Sequence, residues 1–285
     1  MSQQPQLPPG YAIQRPQPVG PPQSMIPGVT IVQDSSGMIP QFLVIAREKE
    51  GKSATVGTSL VNWPRNGMHP LFFAFDESGP NSCLKLGYPP HVMQIKKLPG
   101  MRMIDKTRDG LTRLEANMGN LRNVYGSIIV DCASTMVDLF HEDARKGKNP
   151  NPRSHFGDAL MWSREVMHRL MGLGLPIWWL AWLREAETVE EKLGNTDTKV
   201  KMLLPGGANI LGNFRNVLSG KVQHIFILEK QNVGPHPAAD EAGFVRVFHT
   251  RDHLNIRAGG RFSHLLPPLM PANCAQVMNL VLAAR

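Results

Sequence analysis

Short apolar runs alternate with longer amphipathic segments from Gly28 to the end of the chain. The short runs are rich in β-branched and aromatic residues, which is typical of buried strands. We predict strands at Gln41 to Ala46, Pro70 to Phe75, Val92 to Lys96, Ser127 to Asp131, Pro176 to Leu183, Val222 to Glu229 and Phe244 to His249. Strands that alternate with helices predict an α/β fold with a mainly parallel sheet.

Two segments between these strands carry apolar residues at spacings of three and four, and each spacing predicts one apolar helix face. The first set is Leu111, Leu114, Met118 and Leu121, and the second is Leu160, Met167, Leu170 and Met171. Gly172 and Gly174 are expected to end the second helix before the strand that begins at Pro176. No internal repeat is visible.

Residues 1–27 differ from the rest because they are rich in Pro and Gln and contain almost nothing to bury. Such a composition predicts a disordered tail, with residues 28–285 forming the folded domain. The tail is either a solvated leader or an arm that binds a partner.

Composition narrows the class of protein. The chain has 285 residues, 42% of them hydrophobic, which is ample for a packed core, and a formal charge of +8 that favours a polyanionic partner such as nucleic acid or nucleotide. Its three cysteines stand far apart without a CxxC pair, so we expect a reducing cytoplasm. No apolar run approaches the ~20 residues of a membrane span, and no signal-peptide pattern is present, so no membrane partner is expected.

The stretch "LVIAREKEGKSATVG" matches a phosphate-binding loop, or P-loop. Such a loop follows a buried strand, directs backbone amides and a lysine at phosphates, and places a hydroxyl for Mg²⁺ at a helix start. Lys52 supplies the cation and Ser53 the hydroxyl, which predicts an ATP site. Its residues are Ala46, Arg47, Glu48, Lys49, Glu50, Gly51, Lys52, Ser53 and Ala54. The alternative is a charged turn between strand and helix, since Glu48 and Glu50 are unfavourable beside a triphosphate unless they point outward or pair with neighbouring cations.

Two further apolar strands end in acids. "VYGSIIVDCAST" ends its strand at Asp131, where P-loop proteins hold Mg²⁺ beside the loop hydroxyl, so we predict Ser53 and Asp131 as the metal site. "PLFFAFDESG" ends in Asp76 and Glu77, either of which is a candidate to position the attacking water. The alternative there is a helix N-cap formed by Asp76 or Ser78.

In this order the motifs resemble the RecA-like P-loop ATPases, and in particular the phage-encoded RecA-like proteins of single-strand annealing and recombination. The resemblance runs from about Gln41 to Leu282 and comprises "AREKEGKSA" as Walker A, "FAFDESG" at the catalytic acid and "SIIVD" as Walker B. The strand "PIWWLAWL" and the closing "RAGGRFSHLLPPLMPANCAQVMNLVL" complete it. The resemblance implies a RecA-like ATPase that acts on single-stranded DNA as a homo-oligomer, a ring or filament. It also implies recombination partners, such as a single-strand-binding protein, that contact the N-terminal tail.

Two polar segments are candidates for binding DNA. "EDARKGKNPNPRSHFG" is predicted to be an exposed, mobile, non-helical loop, and the resemblance places the first DNA-binding loop there. A second polar loop, "REAETVEEKLGNTDTKVKMLLPGG", turns basic only near its end. The candidate contacts to phosphates are Arg145, Lys146, Lys148 and Arg153 in the first segment and Lys199 and Lys201 in the second. The alternative is a pair of solvated loops.

Arg257 and Arg261 flank a glycine pair in "NIRAGGRFSHLL". In related ATPases a neighbouring subunit supplies a positive charge to the transition state, so these arginines are candidates for that role in trans. The alternative is an ordinary turn with solvated arginines.

Trp178, Trp179 and Trp182 lie in an apolar run, where alternation favours packing in the core over stacking on bases. The sequence leaves two further functions open beside a DNA-dependent ATPase. One is a non-hydrolysing scaffold with the same fold, and the other is a P-loop kinase.

Overall fold

The structure, a computed structural model, describes residues 39–61, 68–76, 78–147, 151–192, 199–204, 206–211, 213–233 and 243–284, with backbone alone at 152, 189–192 and 199–204. The predicted tail, Glu77 and Lys148 therefore lie outside the described residues.

The described part of the chain contains twelve strands and eight helices. The strands are β1 (Gln41–Ala46), β2 (His69–Ala74), β3 (His91–Gln94), β4 (Tyr125–Asp131), β5 (Ile177–Arg184), β6 (Glu187–Lys192), β7 (Lys199–Leu204), β8 (Gly207–Ala208), β9 (His224–Asn232), β10 (Phe244–His249), β11 (Gly259–Gly260) and β12 (Leu269–Pro271). The helices are α1 (Lys52–Val61), α2 (Ser78–Lys85), α3 (Met103–Ala116), α4 (Met118–Val124), α5 (Ala133–Lys146), α6 (Pro152–Gly172), α7 (Phe214–Lys221) and α8 (Cys274–Ala283). None of them is both long and apolar enough to cross a bilayer.

Ten of the strands form one sheet in the order β12-β10-β9-β1-β5-β4-β2-β3, with β11 beside β9 and β8 beside β5. Strand β1 is central and pairs in parallel with both β5 and β9. The pairs β4–β5, β2–β4 and β2–β3 are also parallel, whereas β10, β11, β12 and β8 join antiparallel. The fold is thus of the expected α/β class, with a mainly parallel sheet flanked by helices.

The central strands are buried on both faces, which explains why they read as continuous apolar runs. Trp178 stacks on Phe42, with ring centroids 4.3 Å apart, on the face covered by α1 and α8. Trp179 points to the other face, which α3, α5, α6 and α7 cover. Both indoles are fully buried, which confirms core packing, while Trp182 is half-buried.

Two expectations about helices are wrong. The apolar face from Leu111 to Leu121 belongs to two helices, because α3 ends at Asn117, whose N–H donates to Leu114 and whose backbone leaves the helical conformation. The first basic segment is mostly helical, since α5 continues to Lys146 and α6 begins at Pro152. Proline is tolerated in a first helical turn, and the Asn151 side chain caps that turn by accepting from the N–H of Arg153.

The second polar segment is also not a loop. It forms a β-hairpin in which β6 and β7 pair antiparallel from Glu187 with Leu204 to Lys192 with Lys199. The strands were not predicted because the segment is rich in charged residues. Thr188, Val189 and Val200 are nevertheless β-branched residues that favour strands.

Candidate nucleotide-binding site

The P-loop has the strand, turn and helix that its motif requires. All residues of β1 are buried, and α1 begins at Lys52, one residue after Gly51. Gly51 has φ +82°, a left-handed conformation that glycine adopts without a steric cost. The N–H of Thr55 donates to the Gly51 carbonyl at 2.9 Å and begins the helical hydrogen bonding. The predicted context of the motif is therefore present.

Lys52 is buried at the start of α1, with 8% of its surface exposed. Burial lowers its pKa, because desolvation disfavours the ammonium form. The negative charges of Asp131 and of the nearby Glu48 and Asp76 oppose that effect. The position favours a ligand that brings negative charge to Lys52.

Asp131 ends β4 and lies across β5 from the P-loop strand, yet its side chain reaches Ser53. The Ser53 hydroxyl lies beside the carboxyl group. Burial raises the pKa of Asp131 to about 6, although the adjacent Ser53 hydroxyl and the charge of Lys52 favour the ionised form. The oxygen Oδ2 is buried and has no hydrogen-bond partner in the described structure.

Gly79, in the first turn of α2, closes the space around Ser53 and Asp131. A Cβ at this position would overlap Asp131 Oδ2 and would lie 2.7 Å from Ser53 Oγ. A hydroxyl and an orphaned carboxylate oxygen make an oxygen-only site, and Gly79 packs directly against that carboxylate. Mg²⁺ binds through one or two protein oxygens and keeps several waters, so these residues fit it.

Asp76 follows β2 beside this site. Its charge raises the pKa of both Lys52 and Asp131, so the three groups interact electrostatically. Its Oδ1 accepts a hydrogen bond from the Ser78 N–H at 2.9 Å, at the start of α2. The N-cap alternative is therefore present, and Asp76 also remains near enough to influence the P-loop lysine. The other candidate acid, Glu77, lies outside the described residues.

Most charged residues of the loop are exposed, whereas Glu50 has one buried carboxylate oxygen, Oε2, without a hydrogen-bond partner in the described structure. Arg47 pairs with Glu185, with Nε and Oε1 2.6 Å apart, and both side chains are more than half exposed. Glu48 and Lys49 are exposed, and Glu50 is half-buried. The carboxylate of Glu48 thus points outward, one of the two arrangements that make this loop compatible with a triphosphate.

Arg246 is a residue of the P-loop site that was not predicted from the sequence. It lies on β10, and its Nε donates to the carbonyl oxygen of Glu50 at 3.1 Å. Its guanidinium also covers Gly51, where a Cβ would come within 2.9 Å of Nε. The sequence does contain an indication of such a role, because "FVRVFH" has a single arginine inside a mostly apolar strand.

The predicted DNA contacts are partly described. Arg145 and Lys146 lie exposed in the last turn of α5, and Arg153 lies in the first turn of α6. Lys146 Nζ contacts Glu142 Oε1 at 2.6 Å, and Lys97 Nζ contacts the same oxygen at 2.7 Å. These helix ends carry Phe156, which stacks on His141. Lys199 and Lys201 lie on β7, where the structure describes the backbone alone.

The two candidate trans arginines lie in different places. Arg257 lines a cavity of about 260 Å³ together with Arg184 and Arg215. Burial and the charge of Arg184 lower the pKa of Arg215, so these cations crowd one another. The N–H of Arg261 donates to the Gln223 carbonyl, directly before β9. The P-loop follows the carboxyl end of β1, which is parallel to β9, whereas Arg261 lies at the amino ends of these two strands. Within one chain, Arg261 and the P-loop therefore lie at opposite ends of the strands.

Comparisons with known proteins give a fold-level likeness alone. No family model matches the chain, and no curated protein matches it. Among solved structures, the chain is similar to a KaiC-like protein from the hyperthermophilic archaeon Pyrococcus horikoshii, with a TM-score of 0.40 and 8% identity. The match covers 79% of this chain and 90% of that chain. A likeness at this score carries no inference about function, which must come from the site.

Proposed function

We propose that the chain is a RecA-like ATPase that binds ATP with Mg²⁺ at the P-loop and acts on single-stranded DNA. The observation that carries the proposal is the convergence of Lys52, Ser53 and Asp131 from two strands that are not neighbours in the sheet. The orphaned oxygen of Asp131 beside Ser53 matches a metal-assisted phosphate site.

The residues of the site have distinct roles in this proposal. The loop amides and Lys52 bind the terminal phosphates, since α1 presents its N-terminus and a buried ammonium there. Ser53 and Asp131 hold Mg²⁺, which neutralises charge on the phosphates when bound. Asp76, or Glu77 beside it, orients the attacking water and accepts its proton.

The DNA part of the proposal is supported by charge. The formal charge is +8, and exposed cations gather where α5 ends and α6 begins. The cavity lined by Arg184, Arg215 and Arg257 offers a second place for phosphates. The resemblance adds the finer proposal, a phage-type role in recombination, annealing or replication in the host cytoplasm, with partners contacted through the N-terminal tail.

We also propose a ring or filament in which a neighbouring subunit completes the site. Arg261 lies at the sheet edge opposite the P-loop of its own chain, so a catalytic role for it requires the P-loop of another subunit. Arg257 is the other candidate, and in its own chain it lines the cavity that Arg184 and Arg215 also line, here called the arginine cavity.

A non-hydrolysing nucleotide-binding scaffold is the rival function, favoured by the hydrogen bond that engages Asp76 with Ser78. Measuring ATP turnover with and without single-stranded DNA separates the two. The proposal expects Mg²⁺-dependent turnover that DNA stimulates and that Lys52→Ala abolishes. Binding without turnover would support the scaffold, and turnover that needs a small-molecule acceptor instead of DNA would indicate a kinase.

A further inference from the structure

Three side chains of types that can bind a metal converge where β10 ends beside the middle of β9, apart from Ser53 and Asp131. They are Glu229 on β9, His249 at the end of β10 and His253 in the turn that follows. One ligand atom from each lies within 4.8 Å of the others. We infer that these residues form a site for a divalent transition metal of the Zn²⁺ class.

Strand pairing explains why the first two ligands meet. Glu229 pairs with Val247, and His249 lies two residues further along β10, so both side chains project from the same face of the sheet. His249 is buried, and its Nε2 donates to Glu229 Oε2 at 2.6 Å. The N–H donor of Gln231 contacts the same carboxylate oxygen at 2.9 Å and fixes its orientation.

The third ligand, His253, lies in a turn with an unusual backbone conformation. Leu254 and Asn255 have φ of 47° and 60°, and backbone hydrogen bonds between His253 and Ile256 close the turn. A left-handed leucine is strained, and Leu254 is 66% exposed, so its own packing does not compensate for the strain. The turn places the His253 ring flat against His249, with centroids 3.7 Å apart.

The distances to Glu229 suit a metal that binds nitrogen and oxygen, whereas the stacked rings hold their Nε2 lone pairs in nearly parallel planes, so one imidazole must rotate for both to bind the same ion. His249 Nε2 and His253 Nε2 lie 2.6 and 4.0 Å from Glu229 Oε2. Ligand atoms of a tetrahedral zinc ion with bonds of about 2.0 Å lie roughly 3.3 Å apart, so the two separations bracket that value. Metal binding needs the Nε2 lone pair, so the proton of His249 would move to Nδ1 or to solvent.

The donor set distinguishes this site from the P-loop site. Two imidazoles and one carboxylate favour Zn²⁺, Co²⁺ or Ni²⁺, whereas the all-oxygen set of Ser53 and Asp131 favours Mg²⁺. Glu229 and His253 are partly exposed, which leaves an open side for water as a further ligand.

The same turn connects to other parts of the proposed machinery. The N–H of Gly206 donates to Asn255, and Arg257 follows the turn into the arginine cavity. Glu185 raises the pKa of Arg47 in the P-loop most strongly, and the charge of Glu229 adds to that effect. A bound metal would fix the turn and with it the position of Arg257. The metal site itself does not rest on the proposed ATPase activity.

The test titrates the full-length protein, stripped of metal by a chelator, with Zn²⁺ by calorimetry and with Co²⁺ by visible absorption. We expect one metal per chain, ligand-field bands of a four- or five-coordinate Co²⁺, and a melting temperature raised by Zn²⁺. Loss of even an outer-shell partner of a metal weakens binding about 10–100-fold, so His253→Ala and Glu229→Gln should each weaken it by at least about 100-fold.

Two variants serve as controls. His264→Ala removes an exposed histidine of the same region and should leave the Zn²⁺ affinity unchanged. Asp131→Asn alters the P-loop site and should also leave the Zn²⁺ affinity unchanged, which would exclude Zn²⁺ binding at the P-loop. Each ligand variant should melt like the metal-free parent. Absence of stoichiometric binding would overturn the proposal and indicate a hydrogen-bonded Glu–His pair alone. Equal affinity of the parent and the ligand variants would overturn it too, because the metal would then bind elsewhere.

Discussion

Nε of Arg246 donates a hydrogen bond to the carbonyl oxygen of Glu50 at 3.1 Å. This bond connects the P-loop to β10, which lies on the other side of β9 from β1. The two residues are 196 positions apart in the chain. Gly51 is what permits the contact, since any larger residue there would meet the guanidinium. The loop conformation thus depends on β10 as well as on its own motif.

Replacing Arg246 should therefore weaken nucleotide binding. A hydrogen bond to a charged group contributes about 1.5–3 kcal/mol, so Arg246→Ala should lower ATP affinity by roughly tenfold or more, measured by calorimetry. Arg251→Ala, at an exposed position just after β10, is the matched control and should have no effect. Unchanged affinity in a folded Arg246 variant would mean that the loop holds its shape alone.

Gly79 tests the metal site without altering a ligand. The Cβ of Gly79→Ala would overlap Asp131 Oδ2, and overpacking of this kind costs about 1–3 kcal/mol. We expect Mg²⁺-dependent ATP affinity to fall roughly tenfold, while the weaker binding in EDTA changes little. Gly157→Ala, at an open position in α6, should bind as the parent does. If both variants behave alike, Mg²⁺ is held elsewhere.

Asp131 should make the free protein less stable as pH rises. Its folded pKa of about 6 lies above the ordinary value of 3.8, so the folded state holds its proton more tightly than the unfolded state. The stabilisation is complete below pH 4 and is lost as pH rises through 6. Asp131→Asn should therefore be more stable than the parent at pH 8, by up to about 3 kcal/mol, and equally stable at pH 4.

Urea denaturation at the two pH values, without nucleotide, measures this difference. The variant should meanwhile lose Mg²⁺-dependent turnover. A stability difference that does not depend on pH would show that folding leaves the pKa of Asp131 unchanged.

The sequence predicted what depends on local pattern. The alternating runs located β1 and β10 at their observed ends, and the P-loop motif located the turn and the start of α1. It did not predict the β6–β7 hairpin, because charged residues mask strand propensity there. Nor could it place Arg246 or Gly79, since their contacts join segments that only the folded sheet brings together.

The cations at the ends of α5 and α6 predict a salt-dependent DNA contact. Each phosphate contact to a single strand contributes about 0.7 to the slope of log affinity against log salt. Replacing Arg145, Lys146, Lys148 and Arg153 by alanine should lower that slope by up to about 3, measured by fluorescence anisotropy with labelled oligonucleotide. Exchange of the exposed Lys85 and Arg113 is the control. An unchanged slope would place the DNA at another surface, such as the cavity of Arg184, Arg215 and Arg257.

The most direct test of a P-loop ATP site is the affinity for ATP, with and without Mg²⁺, of the parent protein and of Lys52→Ala. Lys52 is the buried cation beside Ser53 and Asp131, so its removal should weaken Mg²⁺-dependent binding by more than about tenfold while the fold is retained. We predict saturable, Mg²⁺-dependent binding in the parent and its loss in the variant. Equal ATP affinity in both proteins would contradict a nucleotide site at this loop.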